Sequence, residues 1–359
     1  MKSVVHIITT IARGGAENQL KVVVREQVKS DFKVYVIYLK DKPELKHELQ
    51  SIGAEVLDFL DGKNFIAQTR ILKNFLSNFP GVIHAHLPRA ELLAAVASPK
   101  GSLIVSRHNA EPFFPNAPAL ISKILSRHVE RRAILVIAIS EAVKRYLLES
   151  GEIADSKKIE VVHYGFDKNL TVTTTTQREK NAEFVIGTVG RLAQQKDYPT
   201  LFAAFKLFMA ENPSSKLLVI GGGSLKEELQ ELAQKLGVQE RIIWFGRTND
   251  VISAMRQMNI FVLASKYEGF GLVLLEAIQA GVPVIAANNS AIPEVLGENS
   301  NALFQTGNVE DLYSKMKEFK DQSKRNNLIE AQHARLSIFS PESMITKMNS
   351  AYNRILVRS

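Results

Sequence analysis

The chain has no cysteine among its 359 residues, which excludes disulfides and thiolate metal sites. No apolar stretch reaches the roughly 18 to 20 residues of a membrane-spanning helix. The N-terminus, MKSVVHIITT, lacks the long apolar region of a secretory signal and reads as a first strand. Together these absences point to cytoplasmic residence, although a lack of cysteine fits other compartments too. The dinucleotide fingerprint GxGxxG is missing after that strand, where TTIARGGAENQL stands instead.

What is present describes two ordinary domains. The length suits two, and an apolar fraction of 45% gives each a sizeable core. The net charge of +8 is uneven: residues 1–165 hold 23 Lys/Arg against 17 Asp/Glu, a difference of +6, leaving +2 for the rest. A basic first half suits an anionic partner, such as a membrane surface, a lipid phosphate or nucleic acid; it equally suits a basic surface that is merely solvated.

Short β-rich runs alternate with helical patterns: VVHII (4–8), KVYVIYL (33–39), GAEVLDF (53–59), GVIHAH (81–86), SLIVSRH (102–108), AILVIAIS (133–140) and IEVVHYG (159–165). Such alternation implies a parallel sheet covered on both faces. A polar, threonine-rich stretch at 167–183 reads as a linker. The alternation then restarts with FVIGTVG (184–190), SKLLVIGGG (215–223), RIIWFG (241–246), IFVLAS (260–265) and VPVIAA (282–287), forming a second α/β domain. The expected division is 1–168, a linker at 169–183, and 184–341, followed by a last helix at 342–359 that starts with Ser-Pro.

Open α/β sheets bind ligands beyond the carboxyl ends of their strands. Gly14 and Gly15 form a tight turn into a helix, where backbone N–H groups can approach a phosphate; a plain connecting turn would look the same. His108 and Asn109 end the fifth strand, and an imidazole there can donate to a sugar hydroxyl or a phosphate, or serve a purely structural role. His84 and His86 share one strand face by period two, yet no third metal ligand is evident. Arg191 and Lys196 follow Gly190 at a strand-to-helix junction, where two cations can neutralise a diphosphate. GGGSLKEEL, with Gly222, is another glycine turn, and FGRTNDV, with Arg247, a third loop. In KYEGFGLVLLEAIQAG, Glu268 and Glu276 stand eight residues apart around Gly269, Phe270 and Gly271. That spacing can put one carboxylate on the turn and the other two helical turns further on, beside N–H groups that can hold an anion.

These motifs resemble the retaining nucleotide-sugar glycosyltransferases of the large family 4, over nearly the whole chain and most densely at 184–296. The resemblance rests on GRL with its downstream lysine, E-x7-E, GGAE and the HN strand end. It implies an α/β chain of GT-B fold: two Rossmann-like domains facing across a cleft, with the last helix crossing back to the first. It assigns Arg191 and Lys196 to the donor diphosphate, Glu276 to the ribose hydroxyls, and Glu268 and His108 to the reacting sugar. Arg247 falls near the base. Gly14, Gly15, Gly190, Gly222, Gly269, Phe270, Gly271 and Leu272 line the donor. Glu17 and Asn109 fall on the acceptor side.

No cofactor or metal is implied, and no DxD-type motif occurs in the crevice loops. The implied substrates are a nucleotide sugar, UDP- ahead of GDP-linked, and a glycan or lipid-linked acceptor of bacterial surface polysaccharide or lipopolysaccharide. Nucleic acid is not an implied partner. One departure stands out: Ser290 and Ala291 replace the paired glycines that the family often has before PEV.

Competing possibilities are a GT-B epimerase or phosphorylase, or a non-catalytic sugar-nucleotide-binding subunit. The chain shows no pyridoxal phosphate lysine motif, and intact Arg191, Lys196, Glu268 and Glu276 argue against a degenerate subunit. A stripe of Lys123, Arg127 and Arg131 on one helix fits peripheral attachment to an anionic membrane. It also fits a solvated face on a helix packed by Ile121, Ile124, Leu125 and Val129.

Overall fold

A computed structural model describes residues 2–167 and 183–356. The expected linker at 169–183 lies, apart from Glu183, outside the described residues. Two compact units emerge. One runs to Asp167 and includes the chain from Phe339 onward; the other ends at Ile338.

The first unit carries β1 (Lys2–Ile8), β2 (Phe32–Tyr38), β3 (Glu55–Leu57), β4 (Val82–His86), β5 (Leu103–Arg107), β6 (Leu135–Ala138) and β7 (Ile159–Val161). They form one parallel sheet in the order β3-β2-β1-β4-β5-β6-β7. The runs VVHII, GVIHAH and AILVIAI become central strands because both faces are covered, and β4, β5 and β6 are buried along their whole length. The last helix, Pro341–Leu356, belongs to this unit. Met344, Ile345, Met348, Ala351 and Tyr352 recur at helical spacing and enter the core beside Val4, Ile104 and Ile137. Full burial of each larger apolar side chain contributes about 1.5–3 kcal/mol, enough to fix the helix.

The second unit carries β8 (Val185–Val189), β9 (Lys216–Ile220), β10 (Ile242–Gly246), β11 (Ile260–Leu263), β12 (Val284–Ala287) and β13 (Leu303–Phe304). Its sheet is also parallel, in the order β10-β9-β8-β11-β12-β13. The sequence pattern shows five of these six strands. β13 has two residues, too few for any periodicity to register.

Both sheets are Rossmann-like, and in both the strand order reverses at one place. The switch lies between β1 and β4 in the first unit and between β8 and β11 in the second. Connections leave these strands toward opposite faces, so a crevice opens at their carboxyl ends.

Candidate functional site

In the second unit the crevice is built by close loop packing. Gly221 has φ +138, and a Cβ there would stand 1.9 Å from the Gly190 carbonyl oxygen; one on Gly223 would stand 2.4 Å from that of Leu192. Only glycine allows the loops after β8 and β9 to approach this closely. They are then joined by Gly190 N–H to the Ile220 carbonyl (3.0 Å) and Leu192 N–H to the Gly222 carbonyl (3.2 Å). Gly190 and Gly222 make room for cations instead. The stem of Lys196 lies across Gly190, and the Arg247 guanidinium lies against Gly222.

Lys196 Nζ donates to Glu268 Oε1 at 2.6 Å, with both side chains little exposed. Arg191 is exposed and makes a long contact to Gln195 (3.5 Å). Gln195, absent from the sequence candidates, ties the loop after β8 to the loop after β11. Its side-chain amide donates to the Tyr267 carbonyl (2.8 Å), and its own carbonyl accepts from Lys266 N–H (2.8 Å). Nothing in the local sequence marks it, because its partners lie about 70 residues away.

Glu268 is held from behind. Its N–H donates to Ser290 Oγ (3.0 Å), and Ser290 donates to Asn289 Oδ1 (2.8 Å). Ser290 has φ +43, a left-handed conformation that favours glycine. Where the resembling family often has glycine, this chain keeps the glycine-like backbone and adds a hydroxyl that anchors Glu268. Phe270 is buried beneath the turn, Gly269 is half-buried, and Gly271 takes a left-handed conformation (φ +89). Leu272 then opens the helix Leu272–Gln279. Glu276 lies half-buried on this helix, and among the described residues its carboxylate has no hydrogen-bond or ion-pair partner. Burial pushes its pKa up to about 7. A carboxyl left this way can accept from ligand hydroxyls.

The first unit fills its switch point differently. Helix Gly15–Lys29 starts after Gly14, and Glu17 folds back so that a Cβ on Gly14 would stand 2.3 Å from its carboxylate. Burial raises the Glu17 pKa. The free N–H groups of this helix start therefore already face an acidic group. A Cβ on Gly15 would meet nothing within 4 Å. Asn109 is exposed and donates to Glu111 (2.8 Å).

His108 has both ring nitrogens engaged. Nδ1 pairs with the Tyr164 hydroxyl, and Nε2 with His86 Nδ1 at 3.3 Å. His86 Nε2 pairs with His6 Nδ1 (2.9 Å), and His6 Nε2 with Gln27 Oε1 (2.8 Å). Gln27 donates to the Tyr352 hydroxyl (3.2 Å), which meets His84 Nδ1 (2.6 Å), while His84 Nε2 meets Ser106 Oγ (2.7 Å). Burial lowers the pKa of all four histidines, His6 to about 4 and His108 to about 3. The neighbouring Arg107 lowers His108 further. His6 supplies the third imidazole that His84 and His86 lack in the sequence. Every nitrogen of the three nevertheless faces a protein partner, which makes the set a hydrogen-bond chain.

Arg107, one residue before His108, is buried with two carboxylates. Its Nε lies 2.6 Å from Glu91 Oε2 and its Nη1 3.3 Å from Glu152 Oε2. The guanidinium also stacks 4.2 Å from the Phe113 ring, and Glu152 accepts from Phe113 N–H (2.8 Å). The cluster fixes both ends of the loop carrying His108 and Asn109. Burial raises Glu91 to about 7 against the opposing pull of Arg107.

The basic helix, Ala119–Arg132, buries Ser122, Ser126, Val129 and Glu130. Ile121 and Ile124 do not pack inward as an apolar side should. They are 50% and 58% exposed, beside Leu120 at 69%. Small serines let this helix sit close to its neighbours, and the isoleucines are left outside with Lys123 and Arg131. Arg127 is committed to the Gly151 carbonyl (2.7 Å). No described helix is long and apolar enough to cross a membrane.

Comparison with known proteins adds the following. Residues 13–170 match the model described as Glycosyltransferase Family 4, and residues 174–335 match Glycosyl transferases group 1. The capsular polysaccharide biosynthesis glycosyltransferase CapM of Staphylococcus aureus is 29% identical over 238 residues, 62% of each chain. A 4-alpha-N-acetylgalactosaminyltransferase of Campylobacter jejuni is 26% identical over 202 residues, 53% of this chain and 54% of its own. Its acceptor is named as an N-acetylgalactosamine-N,N'-diacetylbacillosaminyl-diphospho-undecaprenol. The matches thus span less than two thirds of these curated relatives. The crystal structure of Anabaena HepE with UDP and glucose shares the fold, with a TM-score of 0.84, 20% identity, and coverage of 99% of this chain and 100% of that one.

Proposed function

The chain carries a glycosyltransferase family 4 domain followed by a glycosyl transferases group 1 domain and belongs to the glycosyltransferases of GT-B fold; from that membership we propose that it transfers a sugar, with retention, from a UDP-sugar to a glycan or lipid-linked acceptor in surface polysaccharide synthesis. The observation that carries the donor half is the Lys196–Glu268 pair at the β8/β11 switch point, with the Glu276 carboxyl on the next helix lacking a partner among the described residues. Relatives named for polysaccharide synthesis, and a structural neighbour holding UDP, support the substrate class.

Breaking a sugar–phosphate bond leaves negative charge on the diphosphate. Lys196 and Arg191 take up that charge, with the N–H groups at the start of the Leu272–Gln279 helix. A diphosphate competes with Glu268 for the Lys196 ammonium, and Glu268 is thereby released toward the sugar. Glu276 accepts from the ribose hydroxyls, and Arg247, anchored against Gly222, lies toward the base. Glu268 is read as a ligand of the sugar and not as a covalent nucleophile, and the departing phosphate takes the acceptor proton on the same face. Glu17 and Asn109 serve the acceptor side, and His108 stands beside the reacting sugar. The cations do the electrostatic work, and the rate should survive EDTA.

A thermal-shift panel of nucleotides and nucleotide sugars tests the donor, because a specific ligand stabilises the folded chain by mass action. UDP-sugars should raise the melting temperature and GDP-sugars should not; the reverse would move the assignment to a guanosine donor. The anomeric coupling in the NMR spectrum of the product tests retention. An inverted product would overturn the same-face mechanism.

Attachment to an anionic bilayer is proposed for the exposed face of Leu120, Ile121, Ile124, Lys123 and Arg131, where apolar and basic groups lie together. Co-sedimentation with anionic vesicles but not neutral ones is expected. Equal recovery with both would sink the attachment.

A further inference from the structure

The histidine chain has a direction that follows from donor and acceptor counting. Gln27 Nε2 faces the Tyr352 hydroxyl (3.2 Å) and the Met348 sulfur (4.0 Å), while Oε1 faces His6 Nε2 (2.8 Å). A thioether can only accept, so the NH2 end belongs beside Met348. Oε1 then needs a proton from His6 Nε2. A neutral imidazole carries one N–H, so His6 Nδ1 accepts from His86 Nε2. His86 Nδ1 in turn accepts from His108 Nε2, and His108 Nδ1 accepts from the Tyr164 hydroxyl. On the other branch Tyr352 accepts from Gln27 and donates to His84 Nδ1, leaving His84 Nε2–H to donate to Ser106. One amide orientation therefore fixes four rings. Rotating the Gln27 amide would reverse every bond and turn all four rings to Nδ1–H.

We propose that His6, Gln27, His86 and Tyr352 are positioning residues whose hydrogen-bond chain holds His108 as its Nε2–H tautomer, with Tyr164 donating to Nδ1. The consequence for catalysis rests on His108 belonging to the active site as proposed above. In this state the ring has no nitrogen left to act as a base. Tyr164 directs its proton toward the ring, at Nδ1 of His108. The chain also runs from the crevice end of β5 to the last helix.

Long-range 1H–15N correlation spectra of the full chain, labelled at histidine, read each tautomer directly and need no substrate. Single histidine-to-glutamine variants assign the signals. In the wild type His6, His84, His86 and His108 should all be Nε2–H. Different tautomers among the four would overturn the chain, and all four as Nδ1–H would reverse its direction and overturn the assignment for His108. Gln27→Glu sharpens the test, because a carboxylate accepts at both ends. Tyr352 must then donate to Glu at position 27, and His84 alone should switch to Nδ1–H while the other three keep their protons. An unchanged His84 in a folded variant would count against the coupling. Should that variant fail to fold, the wild-type spectrum decides alone. Failure of the transfer reaction would leave these spectra unaltered, so the two proposals fail separately.

Discussion

The two units share a strand order and a switch point, and they use it in opposite ways. After β8 and β11 come Arg191, Lys196 and Glu268, Arg247 follows β10, and the carboxyl of Glu276, without a partner among the described residues, is close by in sequence. At β1/β4 the same position holds neutral imidazoles that satisfy one another. Topology makes the crevice, and side-chain chemistry decides whether its edge carries charges or a neutral network of the protein's own bonds. A charged edge with exposed arginines favours an anionic ligand at modest cost in stability. A buried neutral network gives rigidity, because each member left unsatisfied would be costly.

Acid should separate the units most strongly. The four chain histidines have folded pKa values below their unfolded value near 6.5, so the unfolded chain binds more protons once pH falls below that value. Stability is then lost at about 1.4 kcal/mol per pH unit for each histidine, down to about pH 4 for His6. Glu91 and Glu276 have raised pKa values and work the other way between about 7 and 4.5, offsetting part of the loss. Urea melts from pH 6.5 to 4 should show the loss steepening below 4.5, with the first unit's signals disappearing first. Stability that rises over this range would contradict the account.

Next in size is the Arg107 cluster. Glu91→Ala leaves a buried guanidinium short of a partner and should cost about 3–5 kcal/mol in chemical denaturation. The equivalent cut in the second unit, Glu268→Ala, strands Lys196, whose side chain is 14% exposed against 5% for Arg107, and should cost less. Equal losses would erase the electrostatic contrast between the units.

Glu276→Gln should uncouple stability from binding. Above pH 7 the neutral amide avoids burying a charge, so the variant should melt at a slightly higher temperature than the wild type while its donor KM rises. A lower melting temperature would mean that the carboxylate serves the fold. Smallest is Ser290→Gly, which relieves a left-handed backbone but loses the bond to Glu268. Its stability should change by less than about 1 kcal/mol, since relief of strain and loss of a hydrogen bond are of similar size. Its kcat should fall. Unchanged kcat would show that Glu268 holds its place without the hydroxyl.

Much of this was legible in the residues. VVHII, AILVIAI and IFVLAS announce buried parallel strands, and the E-x7-E spacing places Glu268 on a turn and Glu276 on a helix. What escaped was long-range. Glu91 and Glu152 look like surface charges until β5 brings Arg107 between them. Gln27 and Gln195 bind groups far away in the sequence, where no local period points. The role of Gly221 and Gly223 differs from that of Gly222 only because of which backbone passes overhead. The helix at 119–132 has the spacing of a packed amphipathic helix, yet Ser122 and Ser126 occupy the contact and Ile121 and Ile124 face outward. His6 could have been suspected, since β1 and β4 are neighbours in any Rossmann-like order and both carry histidine.

The second unit's charged edge is proposed to hold a nucleotide diphosphate. Calorimetric titration of UDP into the wild type, Lys196→Ala and Gln27→Glu tests it directly. A hydrogen bond to a charged group is worth about 1.5–3 kcal/mol, so Lys196→Ala should weaken binding roughly 10- to 100-fold. Gln27→Glu, in the other unit, should leave the affinity unchanged. UDP bound as tightly by Lys196→Ala as by the wild type would contradict the account.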